Sequence, residues 1–503
     1  MKLFPVYVVY IDKENYLMPA RETQAGTEVT MKNVNTKNDN MKKDDMNRKS
    51  KIKRNSLCMG VCAAITLSAL CGCSGQQGGT EPAGVKKLSG APAPEQGGSL
   101  PGEASTQGGA QADGASVRDV TAHSQGSGTP ADASTVTEFS LRLFQESLSQ
   151  EQKKDAGKNV LVSPASVLFA LSMTSNGADQ NTLAQMEEVL GASVPELNAY
   201  LHEYRTSLPM GDGYKLSIAN SVWFKDNPDF TVNQDFLAAN EAWYDADIYQ
   251  AAFDASTLKA INRWVSDSTD EMIPEILDSI SADAVMYLIN GIAFDAEWST
   301  VYREYQVREA DFTQEDGTVC RTELMYANEN AYLRDANAQG FLKYYKDGKY
   351  AFAALLPNEG VTVSEYVKSL DAASLREMLS NPANIPVKTA IPKFEAEYNI
   401  EMSGIFKTLG MTDAFDANAA DFSRLGEFSG KSIFINRILH KTYIAVDERG
   451  TKAGAATAVE VNAAGALMPQ EEKEVYLDRP FVYLIIDCEE NIPVFMGTLM
   501  NVK

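Results

Sequence analysis

Asn159-Val160-Leu161-Val162-Ser163-Pro164-Ala165-Ser166 is the stretch from which the fold is read. A short β-prone apolar run gives way to a Ser-Pro pair. Serine at a helix N-cap accepts from backbone amides, and proline in the first turn lacks an N–H that would be unpaired there anyway. The stretch therefore reads as strand, turn and helix start. Upstream, Val136, Phe139, Leu141, Leu143, Phe144 and Leu148 have helical spacing. Downstream, a helical run leads to Gly177-Ala178, then Asn181-Thr182 and Gln185-Met186. Further short signals follow in order: Leu216 to Asn220, Ile261 to Val265, Asn290 to Trp298, Leu356 to Gly360, Ile391 to Phe394, Leu409 to Phe415, Leu439 to Lys441, Asp478 to Phe481 and Phe495 to Gly497. Each alone is an ordinary strand, turn or helix signal.

The chain has 503 residues and a net charge of −23, unevenly spread. Residues 1–72 carry 12 Lys/Arg against 7 Asp/Glu, net +5, and the remainder carries 33 against 61, net −28. An acidic body lacks the positive surface that nucleic acid or anionic lipid requires, and it offers no basic cluster for heparin. Cys58, Cys62, Cys71 and Cys73 crowd one short run, while Cys320 and Cys488 lie far apart and read as unpaired. With only His123, His202 and His440, no metal-ligand spacing emerges, and no cofactor is expected.

Ahead of the body, basic residues 46–54 precede an apolar and small-residue run from Leu57 to Leu70. At about 1.5 Å per residue that run is too short to span a bilayer, so residues 1–72 read as a basic n-region and signal peptide. Its ending, Leu70-Cys71-Gly72-Cys73, resembles a bacterial lipobox: Leu70 and Gly72 suit Cys73 as the lipidated residue, whereas Cys71 would put Leu70 at the small position. This implies export and a lipid anchor at the cell surface, or secretion if Cys73 is not lipidated. The 45 residues before Met46 are out of place, fitting either a later start at Met31, Met41 or Met46 or an unusually long n-region. Residues 73–133 are rich in Gly, Ala, Ser, Gln and Pro and are expected to be a disordered tether, with an r.m.s. span of roughly 45 Å.

Residues 448–473 have the character of a strand waiting for a sheet. They are small, apolar and free of proline up to Pro469, between strand-like runs at 442–446 and 475–486. Thr451, Ala453, Ala455, Thr457, Val459 and Val461 alternate as one core-facing series. The intervening Lys452, Gly454, Ala456, Ala458, Glu460 and Asn462 put both charges on the opposite face, expected toward solvent.

Taken in order from residue 134 to 503, the signals resemble the serpin family, which carries N-V-x-x-S-P-x-S and then G-A-x-x-x-T-x-x-Q-M at matching places. The resemblance implies an α+β serpin fold: three β-sheets, a helical layer and an exposed reactive-centre loop. Glu448, Gly450, Thr451, Ala453, Ala455, Ala456 and Thr457 resemble the hinge of inhibitory members. It implies a suicide inhibitor, not an enzyme. A serine protease cleaves the loop, stays attached as an acyl-enzyme and is dragged as the hinge enters the sheet, by roughly 40 Å for twelve residues. The family's spacing puts the reactive bond at Ala464–Gly465, sixteen residues after Glu448, suiting an elastase-like protease. Because the span from Gly450 to Pro480 is long for the family, Leu467 or Met468 stays open, implying a chymotrypsin-like target. A noninhibitory serpin-fold binding protein is the other reading. Ser163, Ser166, Asn290 and His440 match the shutter beneath the sheet. A hydrolase using them is disfavoured, since no Gly-x-Ser-x-Gly surrounds either serine. The expected state is a monomer. Two departures, Thr269-Asp270-Glu271-Met272-Ile273 for Thr-x-Gly-Lys-Ile and Asp295-Ala296-Glu297-Trp298 for Lys-Gly-Lys-Trp, are expected to lie away from the inhibitory loop.

Overall fold

The computed structural model describes residues 2–13, 84–88, 131–208, 210–211, 214–346, 348–450 and 472–502. Among them are three sheets with helices packed on them, an α+β serpin architecture. The first sheet runs, edge to edge, through Phe394–Glu401, Ile433–Val446, Lys2–Lys13, Ala284–Ala296, Tyr214–Lys225, Asp247–Ala251 and Val85–Lys87. The second runs through Lys473–Tyr476, Ala383–Pro392, Val319–Arg334, Ala338–Tyr344, Tyr350–Pro357, Phe481–Asp487, Ile492–Leu499 and Leu161–Val162. A two-stranded ribbon pairs Phe230–Val232 with Gly426–Phe428.

The opening stretch folds as its residues dictate. Leu161–Val162 closes the edge of the second sheet against Gly497 and Met496. Ser163 then caps Pro164–Ser175, its hydroxyl accepting from the Ser166 amide at 3.3 Å with Pro164 in the first turn. All twelve residues of that helix are buried. It is apolar around its whole circumference, as a helix enclosed on every side must be. Two of its buried hydroxyls bond locally: Thr174 and Ser175 donate to the carbonyls four residues earlier, at 2.8 Å each.

Two elements differ from the reading of residues 1–133 as leader and disordered tether. Lys2–Lys13 forms a central strand of the first sheet, antiparallel to both neighbours, and Val85–Lys87 pairs with Asp247–Ala251 at the edge. The reason for the first is Val6-Tyr7-Val8-Val9-Tyr10-Ile11, an unbroken β-branched and aromatic run of the kind a strand buried on both faces needs. Val9 and Ile11 join the main core, while Val6, Val8 and Tyr10 join a second cluster with Ile261 and Val265 of the helix Ala255–Ser268. At the edge, Val85 is buried and Lys87 pairs with Asp247 at 2.5 Å. Cys73 and the rest of both segments up to residue 130 lie outside the described residues, as does 451–471, which holds the expected hinge alternation and reactive bond.

The helix Ala255–Ser268 ends at the first departure from the family pattern. Asp270 and Glu271 adopt positive φ of 49° and 63°. A side chain in the left-handed region costs about 1–2 kcal/mol, which glycine avoids at some cost in chain entropy. Glu271 stands where the family's motif has its glycine. Glu271→Gly is therefore expected to stabilise the fold by about 0.5–1 kcal/mol, read as a higher urea midpoint at unchanged slope.

Candidate functional site: where the large sheet opens

The strands Ala284–Ala296 and Ile433–Val446 border a lane of the first sheet that Lys2–Lys13 occupies. Beneath it lies a buried polar relay. His440 is 1% exposed, and its Nε2 accepts from the Ser163 backbone amide at 3.1 Å. The Ser163 hydroxyl donates to the Val494 carbonyl at 3.0 Å. The Ser166 hydroxyl donates to Asn290 Oδ1 at 2.5 Å, and Asn290 Nδ2 donates to Asn220 Oδ1 at 2.8 Å. Asn220 then donates to the Tyr244 carbonyl at 2.8 Å, and the Tyr244 hydroxyl to Asn198 Oδ1 at 2.5 Å. The four expected shutter residues thus lie together under the sheet. Asn220, Tyr244 and Asn198 extend the chain and were not singled out from sequence. Asn220 was visible as a polar residue in an otherwise β-prone run.

No catalytic arrangement forms here. His440 Nε2 is engaged by a backbone amide rather than a serine hydroxyl, and neither Ser163 nor Ser166 shares its hydroxyl hydrogen bond with the ring. Burial lowers the His440 pKa to about 3, against which a hydrogen bond to the Val6 backbone acts in the opposite direction. The imidazole is held neutral, as an acceptor from Ser163 requires. Among the described residues, no cluster of His, Cys, Asp and Glu is arranged to hold a metal.

At one end of the lane the structure places a second cluster around the start of the loop. Gly450 has φ +87°, and a Cβ there would stand 2.5 Å from the Ala296 carbonyl oxygen and 2.6 Å from the Trp298 nitrogen. The Trp298 backbone amide donates to the Arg449 carbonyl at 3.1 Å, its indole Nε1 to the Asp447 carbonyl at 2.9 Å, and the Tyr302 amide to the Glu448 carbonyl at 2.9 Å. Trp298 stacks on Tyr345 with ring centroids 4.5 Å apart. Lys343, whose side chain is 2% exposed, pairs with Glu329 at 2.8 Å and lies over the Tyr302 ring at 4.5 Å. Glu448 pairs with Lys393 at 3.1 Å. Burial pushes its carboxyl up, but hydrogen bonds and the Lys393 ammonium outweigh that and hold it below the ordinary range.

This corrects the expectation that Asp295-Ala296-Glu297-Trp298 lies away from the loop, since these residues clasp the turn at 447–450 directly. The other departure, at 269–273, follows the helix that covers the lane. The outer face of the lane is also not solvent throughout. Val6 and Val8 are fully buried there by the second cluster, so alternate positions of any strand in this lane meet the 255–268 helix. Cys320 and Cys488 are free thiols, and burial pushes the Cys488 pKa up to about 12.

A histidine whose pKa falls on folding makes stability depend on pH. Between about 6.5 and 3 the unfolded chain binds the proton first, so the contribution is present above 6.5 and declines as pH falls. By pH 5 the loss is about 2 kcal/mol. Replacing His440 with Asn should flatten the change in unfolding free energy between pH 7.5 and pH 5 by about that amount, measured by urea titration at each pH.

Comparison with known proteins agrees with this geometry. The family model described as Serpin (serine protease inhibitor) matches residues 134–502. The solved structure of a thermophilic serpin, tengpin, in its native state is 44% identical, with a TM-score of 0.68, covering 74% of this chain and 94% of that one. An uncharacterized serpin-like protein of Thermococcus kodakarensis is 28% identical over 73% of this chain and 85% of its own length. The human leukocyte elastase inhibitor is 28% identical over 73% of this chain and 98% of its own length. With an ordered set of family motifs, a sheet bordered by the Ser163–Ser166–Asn290–His440 relay and a loop starting at Gly450, the chain belongs to the serpin family.

Proposed function

We propose that this serpin is a suicide inhibitor of serine endopeptidases with elastase-like preference, cleaved at Ala464–Gly465. The protease attacks the loop, forms an acyl-enzyme through its serine and is held there while residues 451–462 enter the large sheet. The observation that carries the reading is the junction at 447–450. Gly450, at positive φ, packs against Ala296 and Trp298 and bridges Asp447, so the described chain ends at one end of the lane beside Ile433–Val446. The residues that follow are small or β-branched at the core-facing positions, with no charge or proline among them. Small side chains at 463–464 support elastase-like preference, as does likeness to the leukocyte elastase inhibitor. We also propose export, with a lipid anchor on Cys73, and action as a monomer with the protease as its covalent partner.

Incubation of the soluble domain, residues 134–503, with a pancreatic or neutrophil elastase is expected to give an SDS-stable complex and to release a C-terminal peptide beginning at Gly465. Cleavage without complex would sink the inhibitor reading in favour of a noninhibitory binding protein. A peptide beginning after Leu467 or Met468 would move the target to chymotrypsin-like proteases. Thr457→Arg puts a charge at a core-facing hinge position. It should turn the inhibitor into a substrate, with the yield of complex per cleavage reduced about tenfold or more.

A further inference from the structure

The lane between Ala284–Ala296 and Ile433–Val446 is already filled by residues 2–13. Lys2 stands opposite Ala445, Tyr7 opposite His440, Val9 opposite Ile438 and Tyr10 opposite Arg437. On the other side, Leu3 stands opposite Phe294, Tyr7 opposite Asn290 and Asp12 opposite Ala284. The strand starts at the Trp298 end of the lane and runs away from it. A hinge leaving Gly450 would run the same way.

The register agrees as well. Asp447 and Gly450 already form an antiparallel bridge. Continuing that ladder along Ile433–Val446 would set Lys452 opposite Ala445, Thr457 opposite His440, Val459 opposite Ile438 and Glu460 opposite Arg437. Those are the places now held by Lys2, Tyr7, Val9 and Tyr10. Val9 faces the main core, as the alternation assigns to Val459, and Tyr10 lies on the other face, as it assigns to Glu460. Arg437, whose Nη2 donates to the Tyr10 hydroxyl at 3.2 Å, would meet the Glu460 carboxylate across the strands.

We infer that residues 2–13 are a tethered occupant of the hinge's own lane, so that the full chain holds loop insertion off while this strand is in place. The inference rests on the proposed trapping mechanism for its consequence, but not for the site itself. The occupant holds on through Val6, Val8, Val9, Tyr10 and Ile11, each at most 1% exposed, and through its ladders to both neighbours. It also carries the means of its release. Pro5 lies within a central strand, where it removes a ladder donor, and the pairing with Ala284–Ala296 is interrupted between Leu3 and Val6. Residues 14–83 join the strand to the body, so a cut there leaves it held by non-covalent contacts alone. The processing ahead of Cys73 that the proposed lipid anchor requires is such a cut.

The test uses the full chain. Val9→Asp with Ile11→Asp puts two carboxylates into the core face of the strand and should expel it, leaving the body as it is. A fluorescein-labelled peptide of residues 2–13 should then bind the double variant and not the parent, read by anisotropy. Equal binding to both, or to neither, overturns the inference. With elastase, the double variant should give at least tenfold more SDS-stable complex per cleavage than the parent. Excess unlabelled peptide should return it to the parent's behaviour, and Pro5→Val should lower the parent's yield further. Complex formed in equal, measurable amounts by parent and double variant also overturns the inference, while leaving the inhibitor reading intact. Selective peptide binding with no complex from either protein upholds the tethered strand and sinks the inhibitor reading instead.

Discussion

A strand in the middle of a sheet must have its backbone amides and carbonyls paired on both sides, because no water reaches them. That constraint governs the lane between Ala284–Ala296 and Ile433–Val446. Of the thirteen residues of Ala284–Ala296, all but Asp295 are buried, so its hydrogen-bonding edge cannot be left open. Either the two strands close on one another or a third segment lies between them. The relay under the lane serves this choice: His440 sits on one bordering strand and Asn290 on the other, and both reach the capped start of the helix Pro164–Ser175. Separating the strands demands that whatever enters supplies backbone partners to both, as Lys2–Lys13 does.

The same constraint explains why the turn at 447–450 is so tightly specified. The Trp298 and Tyr302 amides, which leave the end of the Ala284–Ala296 strand, find their acceptors on Arg449 and Glu448. A clasp made of main-chain bonds tolerates changes in the side chains that form it, which is why the Asp295-Ala296-Glu297-Trp298 sequence can depart from the family pattern and still hold the loop's origin. It does not tolerate a Cβ on residue 450, where the nearest atoms are backbone and cannot swing aside.

Much of this was legible in the sequence, for identifiable reasons. Ser163-Pro164 has cap chemistry that depends on its own few residues, so the helix start could be read locally. The buried hydrogen bonds of Ser166, Asn290 and His440 could not, because they join positions 124 and 277 residues apart; family resemblance, not local chemistry, brought those residues together. The Lys343–Glu329 pair and the Trp298–Tyr345 stack escaped for the same reason, each being made by strands whose pairing no local pattern reveals. Residues 2–13 escaped differently. Their apolar run was readable as a buried strand, but a strand signal says nothing about which sheet will accept it.

That last gap is physical. An extended apolar segment carries no address beyond its alternation, and a lane accepts any strand that matches its polarity and face pattern. The 451–461 segment and residues 2–13 satisfy the same requirement with different side chains: alanines and threonines at most core-facing positions in one, valine and isoleucine at positions 9 and 11 in the other. Bulk favours the second for holding, since more apolar area leaves water. Smallness favours the first for entering, since each residue must pass between two paired strands and under a covering helix. A protein that depends on a delayed, irreversible insertion gains from having the two properties in separate segments, one suited to occupy the lane and the other to displace it.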